Sequence, residues 1–285
     1  MNSLWVDAWN RLKQEKLALF SLGIILLYSL IALAAKLGFL ATPWDVEIGA
    51  AYSPPSLESL KHIFGTDIFG RSVLYKALHG TRVAMSVGLV SALIATPIGV
   101  VLGSVAGYFG GKIDEAIVWF YTTISSIPSI MLLIAIAYVL GKGIYSVYIA
   151  LGVTSWVSLA RLIRGEFMKH KTREYVIAAE SIGANHLKRI FKHIFPNVIH
   201  IVIINVSLQF QIAIKSEVIL SYLGLGVQGQ PSWGVMIDDA KLELARGVWW
   251  QLTAATIGMF FVVLAFNILG DALRDALDPK LKSRA

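Results

Sequence analysis

Charge in this sequence is confined to clusters, and between the clusters run apolar stretches about as long as a bilayer is thick. Only 15% of the 285 residues are charged, where a soluble domain carries roughly 25%. A membrane-crossing helix needs roughly 20 mostly apolar residues. Six stretches meet that need: Leu17–Leu37, Val83–Tyr108, Glu115–Leu140, Ile144–Ile163, Val198–Leu225 and Leu252–Gly270. The expected fold is an all-α membrane protein with about six transmembrane helices. Pro97 and Pro128 fall inside the second and third stretches, where neighbouring helices can satisfy the backbone groups that a proline frees. Gly99, Gly103 and Gly107 recur at every fourth residue, a small-residue stripe suited to close helix contact.

Orientation follows from Lys and Arg, which concentrate in cytoplasmic loops. With the N-terminus inside, the inner segments hold Arg11, Lys13, Lys16, Lys112, eight residues between Arg161 and Lys192, and four after Gly270. The outer segments hold Lys61, Arg71, Lys76, Arg82, Lys142, Lys241 and Arg246. Sixteen against seven places both termini in the cytoplasm. The first apolar run ends in Ala32-Leu33-Ala34, a small-residue pattern that a signal peptidase reads. Its length of about 20 residues exceeds the 7–15 of a signal core, so it is read as a retained helix. The net charge of +7 is assigned to loops at an anionic membrane surface rather than to nucleic acid. With no cysteine in the chain, disulfides, thiolate metal sites and cysteine nucleophiles are excluded.

The chain thus divides into an N-terminal cytoplasmic segment and first helix (1–40), an outer segment (41–82), and a core of five helices (83–285) with a cytoplasmic loop at 165–197. The outer segment is too polar to span and reads as a partly ordered flap punctuated by Pro43, Pro54 and Pro55. Residues 227–250 form a second outer element, with Trp249 and Trp250 expected at the membrane interface.

The cytoplasmic loop is the informative stretch. Tyr175, Ala178, Ala179 and Ile182 fall at i, i+3, i+4 and i+7, one face of a helix. Gly183 then interrupts, as a C-terminal glycine commonly does. Leu187, Ile190, Phe191 and Ile194 repeat the spacing, with Lys188, Arg189 and Lys192 opposite, and Pro196 is expected to close this second helix. Two short amphipathic helices facing the cytosol fit a groove on a soluble partner, and they equally fit a membrane surface.

Ala178-Ala179, Gly183 and Pro196 resemble the EAA loop of ABC-importer permeases, with Ile177 in place of the loop's glutamate and Phe195 in place of its leucine. Four further strings resemble the oligopeptide/dipeptide (and nickel) branch of those permeases: GTDIFGRSVL at 65–74, SYLGLG at 221–226, PSWGVMIDDA at 231–240 and AFNILGDALRDALDPKLK at 265–282. GSVAGYFGGKID at 103–114 resembles it as well. The resemblance implies a type I permease architecture in a bacterial or archaeal cytoplasmic membrane. It also implies the second, C-type subunit of a pair, with two ATPase subunits and an extracytoplasmic binding protein as partners. Tyr175, Ala178, Ala179, Ile182, Gly183 and Pro196 would then form the coupling helix seated in the ATPase. Peptides are the implied cargo, with nickel or short glycans as alternatives.

The sequence contains no G-x-x-x-x-G-K-[ST] phosphate loop, so no catalytic residue and no cofactor are expected in this chain, ATP being bound by the partner subunits. The six histidines show no metal-ligand spacing, and His193 and His200 are read as interfacial. Lys215 and Glu217 lie within the fifth stretch, where a centred charge costs roughly 2.5–3.5 kcal/mol. They are candidates for a wet pathway or for an ion pair with the second permease. A secondary transporter is the rival transport reading; it usually shows an internal repeat, and the two halves share no convincing one. A membrane receptor or scaffold is the rival of another class, and it would need no ATPase-facing helix.

Overall fold

A computed structural model describes residues 2–277. Lys280, Lys282 and Arg284, three of the inner charges and the end of the 265–282 string, lie outside the described residues. The chain opens with α1 (Asn2–Gln14), then α2 (Lys16–Lys36). An irregular outer segment with one 3-10 turn at Leu60–His62 leads into α3 (Val73–Phe109). There follow α4 (Gly111–Ser125), α5 (Ser129–Leu140), α6 (Ile144–Thr154) and α7 (Val157–His170). The loop holds α8 (Glu174–Ser181) and α9 (His186–Lys188). A π-helical turn, Arg189–Ile194, runs into α10 (Phe195–Tyr222), and α11 (Trp233–Leu244) and α12 (Trp250–Leu277) complete the bundle. No strand occurs among the described residues.

Five helical runs are long and apolar enough to cross a membrane, six if the pair α4–α5 counts as one span. That pair is bent by 85°, where one straight helix over 115–140 is expected. Pro128 explains the break: it lacks an N–H and disfavours helical backbone in the residue before it. Ser125 and Ser126 reinforce it by turning their hydroxyls back onto the carbonyls of Tyr121 and Thr123.

Two boundaries also move. α3 begins ten residues before Val83, so Lys76 and Arg82 sit on a helix rather than in a loop. Pro196 does not close the loop's second helix; it lies in the first turn of α10, and the π-helical turn before it carries the chain through. In the second outer element, residues 233–244 are the helix α11.

The glycine stripe does what its spacing predicts. A Cβ on Gly99, Gly103 or Gly107 would lie 2.9, 2.5 and 2.4 Å from the carbonyl oxygens of Trp156, Ala160 and Arg164. No side chain fits, so α3 and α7 touch backbone to backbone, and Leu159, Ile163 and Phe167 are fully buried along the seam. At the outer end, Trp233 fills the gap between Gly80 and Gly258 and donates Nε1–H to the carbonyl of Ala77 at 2.9 Å. Trp250 is buried and donates to the carbonyl of Thr66 at 2.8 Å, so only Trp249 is available to the membrane interface.

Candidate functional site

The cytoplasmic loop is clipped to the bundle at several points. His170 on α7 and the Tyr175 hydroxyl are 2.7 Å apart. Gly183 adopts φ +83°, a left-handed conformation that glycine takes without strain, and it ends α8. Asn185 caps the next helix by accepting the Lys188 N–H at 2.9 Å. Arg189 then folds back, pairing with Glu180 at 2.5 Å and donating to His186 at 3.0 Å, while His186 meets the Tyr108 hydroxyl at 2.9 Å. The turn is therefore fixed to the inner end of α3.

That fixation decides which face looks out. Val176 and Ala179 are buried, and Val176 packs with Phe167, Ile190 and Ile194. Ala178 and Ile182 point the other way, with Ile182 86% exposed, and Tyr175 lies at the edge with its hydroxyl on His170. The expected four-residue face is thus split: Ala179, one turn from Val176, belongs to the chain's own interior. The second half is split likewise. Leu187 and Phe191 are exposed, whereas Ile190, Ile194 and the expected surface residue Arg189 are buried. Arg189 turns inward because Glu180 and the Tyr108 ring, 5.8 Å away, receive it.

Lys215 and Glu217 separate in the same manner, as residues two apart on a helix must. Glu217 is 1% exposed and accepts the Ser221 hydroxyl at 2.6 Å, so it lines no open pathway and faces no partner subunit. The close packing of α11 on α10 seals it there: a Cβ on Gly234 would lie 2.5 Å from the Ser221 Cβ. Lys215 is exposed and has no ion pair or hydrogen bond among the described residues.

A buried ion cluster at the outer end has no counterpart in the sequence reading. Asp67 accepts the N–H groups of Phe69 and Arg71 at 2.9 Å each, the Arg71 Nε–H at 2.8 Å and the Lys76 ammonium at 2.9 Å. Lys76 also reaches Gln251 Oε1 at 2.8 Å and Asp239 at 3.5 Å. One lysine on α3 thereby joins the outer segment, α11 and α12. Burial pushes the Asp67 carboxyl up, but Lys76 and Arg71 outweigh it and hold the group below the usual carboxylate range. Beside it on α11, burial raises Glu243 to about 7, with Lys76 opposing and Asp239 and Asp67 adding to the rise. The available signal was the string GTDIFGR ahead of a lysine that would otherwise enter an apolar helix.

On the inner side, Arg164 of α7 grips Asp114 of α4 through Nε–Oδ1 at 2.5 Å and Nη2–Oδ2 at 2.6 Å. Arg161 beside it donates to Ser125 at 2.9 Å. The bent pair is thus tied to the helix that leads into the cytoplasmic loop. Among the described residues no group of three potential metal ligands converges.

Residues 99–283 match the family described as binding-protein-dependent transport system inner membrane component. Residues 3–55 match the N-terminal TM domain of oligopeptide transport permease C. The chain is 38% identical over 280 residues to the dipeptide transport system permease protein DppC of Bacillus subtilis, covering 97% of this chain and 86% of that one. It is 36% identical to the oligopeptide transport system permease protein OppC of the same organism, over 98% and 91% of the two chains. The glutathione transport system permease protein GsiD of Pectobacterium atrosepticum is 35% identical over 98% and 92%.

Proposed function

Since the chain belongs to the family of binding-protein-dependent transport system inner membrane components, we propose that it forms half of a translocation pathway for peptides in an ATP-driven importer. Relatives whose names specify dipeptide, oligopeptide and glutathione transport support the cargo. A second homologous permease supplies the other half, an extracytoplasmic binding protein delivers the peptide, and two ATPase subunits dock from the cytosol. ATP is bound by those subunits, since this sequence carries no phosphate loop.

The observation that carries the reading is the outward face of the cytoplasmic loop. Ile182, Leu187 and Phe191 are 86%, 66% and 61% exposed on segments whose other face is anchored. A soluble cleft would cover such a ridge in helix-in-groove fashion. The inward residue Val176 rests on the cluster of α7, the π-helical turn and the start of α10. α7 is locked to α3 by the glycine seam and to α4 by Arg164 and Asp114. A displacement of the loop by the ATPase would therefore move α7, α3 and α4 together, because close-packed helices transmit strain rather than absorb it.

Ile182→Glu and Leu187→Glu test the docking. In the complex purified with its partners, each is expected to lower ATPase retention about tenfold or more while membrane insertion stays normal. Unchanged retention together with unchanged substrate-stimulated ATP hydrolysis would remove the loop from the mechanism.

A further inference from the structure

A cavity of about 830 Å³ opens between α2, α3 and α6 on the outer half of the bundle. Its walls are mostly apolar, with Leu33, Leu89, Val90 and the stacked rings of Phe210 and Phe266 among them. Two cations stand at one end. Lys36 is the last residue of α2, and Arg82 lies ten residues into α3. Neither has a hydrogen bond or an ion pair among the described residues. The chain leaves α2 and enters α3 on the same side of the bundle, so both cations mark the outer end of the groove.

We propose that this groove is a binding site for an anionic glycerophospholipid of the outer leaflet, with the phosphate at Arg82 and Lys36 and an acyl chain along the apolar walls.

Depth argues for this occupant. From Lys36 to Ile25 the groove follows α2 for about 16 Å, and from Arg82 to Val90 it follows α3 for about 12 Å, at 1.5 Å per residue. Both lengths are about half of a 30 Å hydrocarbon core, which is one leaflet. Arg82 also directly precedes the apolar run that starts at Val83, so it stands at headgroup level. An unpaired guanidinium there needs an anion or water, and its planar fork matches phosphate. The ring hydroxyl of Tyr148 is already bonded to Ser86 at 2.9 Å, so it does not compete for that guanidinium.

The test is native mass spectrometry of the importer complex purified from nanodiscs containing phosphatidylglycerol and phosphatidylethanolamine. Wild type is expected to retain phosphatidylglycerol selectively. Arg82→Gln and Lys36→Gln should each reduce retention about fivefold, from roughly 1 kcal/mol per basic residue at a membrane surface. Lys142→Gln, an exposed cation on the same face but outside this groove, should retain it fully, and Arg82→Lys should retain most of it. Wild-type retention by the double variant would overturn the proposal. So would a variant that keeps its lipid but loses discrimination between peptides with free and amidated C-termini, since Arg82 would then belong to the cargo pathway. Neither result bears on whether the chain is a permease.

Discussion

The Lys76 ammonium lies 2.9 Å from Asp67 Oδ2, and both side chains are sealed, with 3% and 0% exposure. A buried lysine in the first turn of an apolar helix is tolerated only with such a partner. Removing one member of a buried pair typically costs 3–5 kcal/mol, because the other is left uncompensated. Lys76→Met also strips Gln251 Oε1 and Asp239 of their donor. The variant is expected to lower complex yield and the melting temperature sharply. Normal melting would mean that Arg71 alone suffices for Asp67.

Glu243 gives a pH dependence of defined sign. Its carboxyl titrates near 7 when folded, against 4.5 ordinarily. Between those values only the folded chain holds the proton, so stability falls as pH rises from about 4.5 to 7 and is level above. The whole effect is at most about 3 kcal/mol. Glu243→Gln should leave melting at pH 5 nearly unchanged and raise it at pH 8. Asp67, whose pKa is lowered, acts only below the ordinary carboxylate range and does not blur this window. Parallel wild-type and variant curves from pH 5 to 8 would refute the assignment.

The glycine seam makes a steeper claim. At Gly103 a Cβ would sit 2.5 Å from the Ala160 carbonyl oxygen and 2.9 Å from the Ile163 Cβ. Backbone cannot retreat as a flexible side chain would, so Gly103→Val must push α3 and α7 apart. The expected result is loss of assembled complex, with overpacking costing at least about 1–3 kcal/mol. At Gly23 an added Cβ would meet nothing within 4 Å among the described residues, so the same change should be accepted there; equal effects at the two positions would deny the seam its role.

Five of the spans were legible because hydropathy needs no partner to be read, and so was the seam, since its glycines repeat along one helix. The bend at Pro128 was not, because proline is compatible with a straight membrane helix wherever a neighbour repairs the backbone. The faces of the loop were misread at Ala179 and Arg189 for a single reason: periodicity shows that a helix has two faces but not which one is covered. Tyr108 on α3 and the contacts of Val176 and Glu180 of α8 with residues outside that helix decide that. Lys76 stayed hidden because its partners lie at 67, 239 and 251.

Ala179 and Ile182 now make opposite predictions for one substitution. Ala179 is 3% exposed toward the chain's own interior and Ile182 is 86% exposed. Ala179→Trp should overpack the loop against the bundle and lower the melting temperature of the permease pair even without its ATPases. Ile182→Trp should leave that temperature within the small range of surface substitutions, about 0.5 kcal/mol. Its effect should appear only as weaker ATPase retention. Measuring both quantities on both variants separates an inner prop from an outer contact. If Ala179→Trp left melting untouched and released the ATPase, Ala179 would face the partner, and the split of the loop into two faces would be wrong.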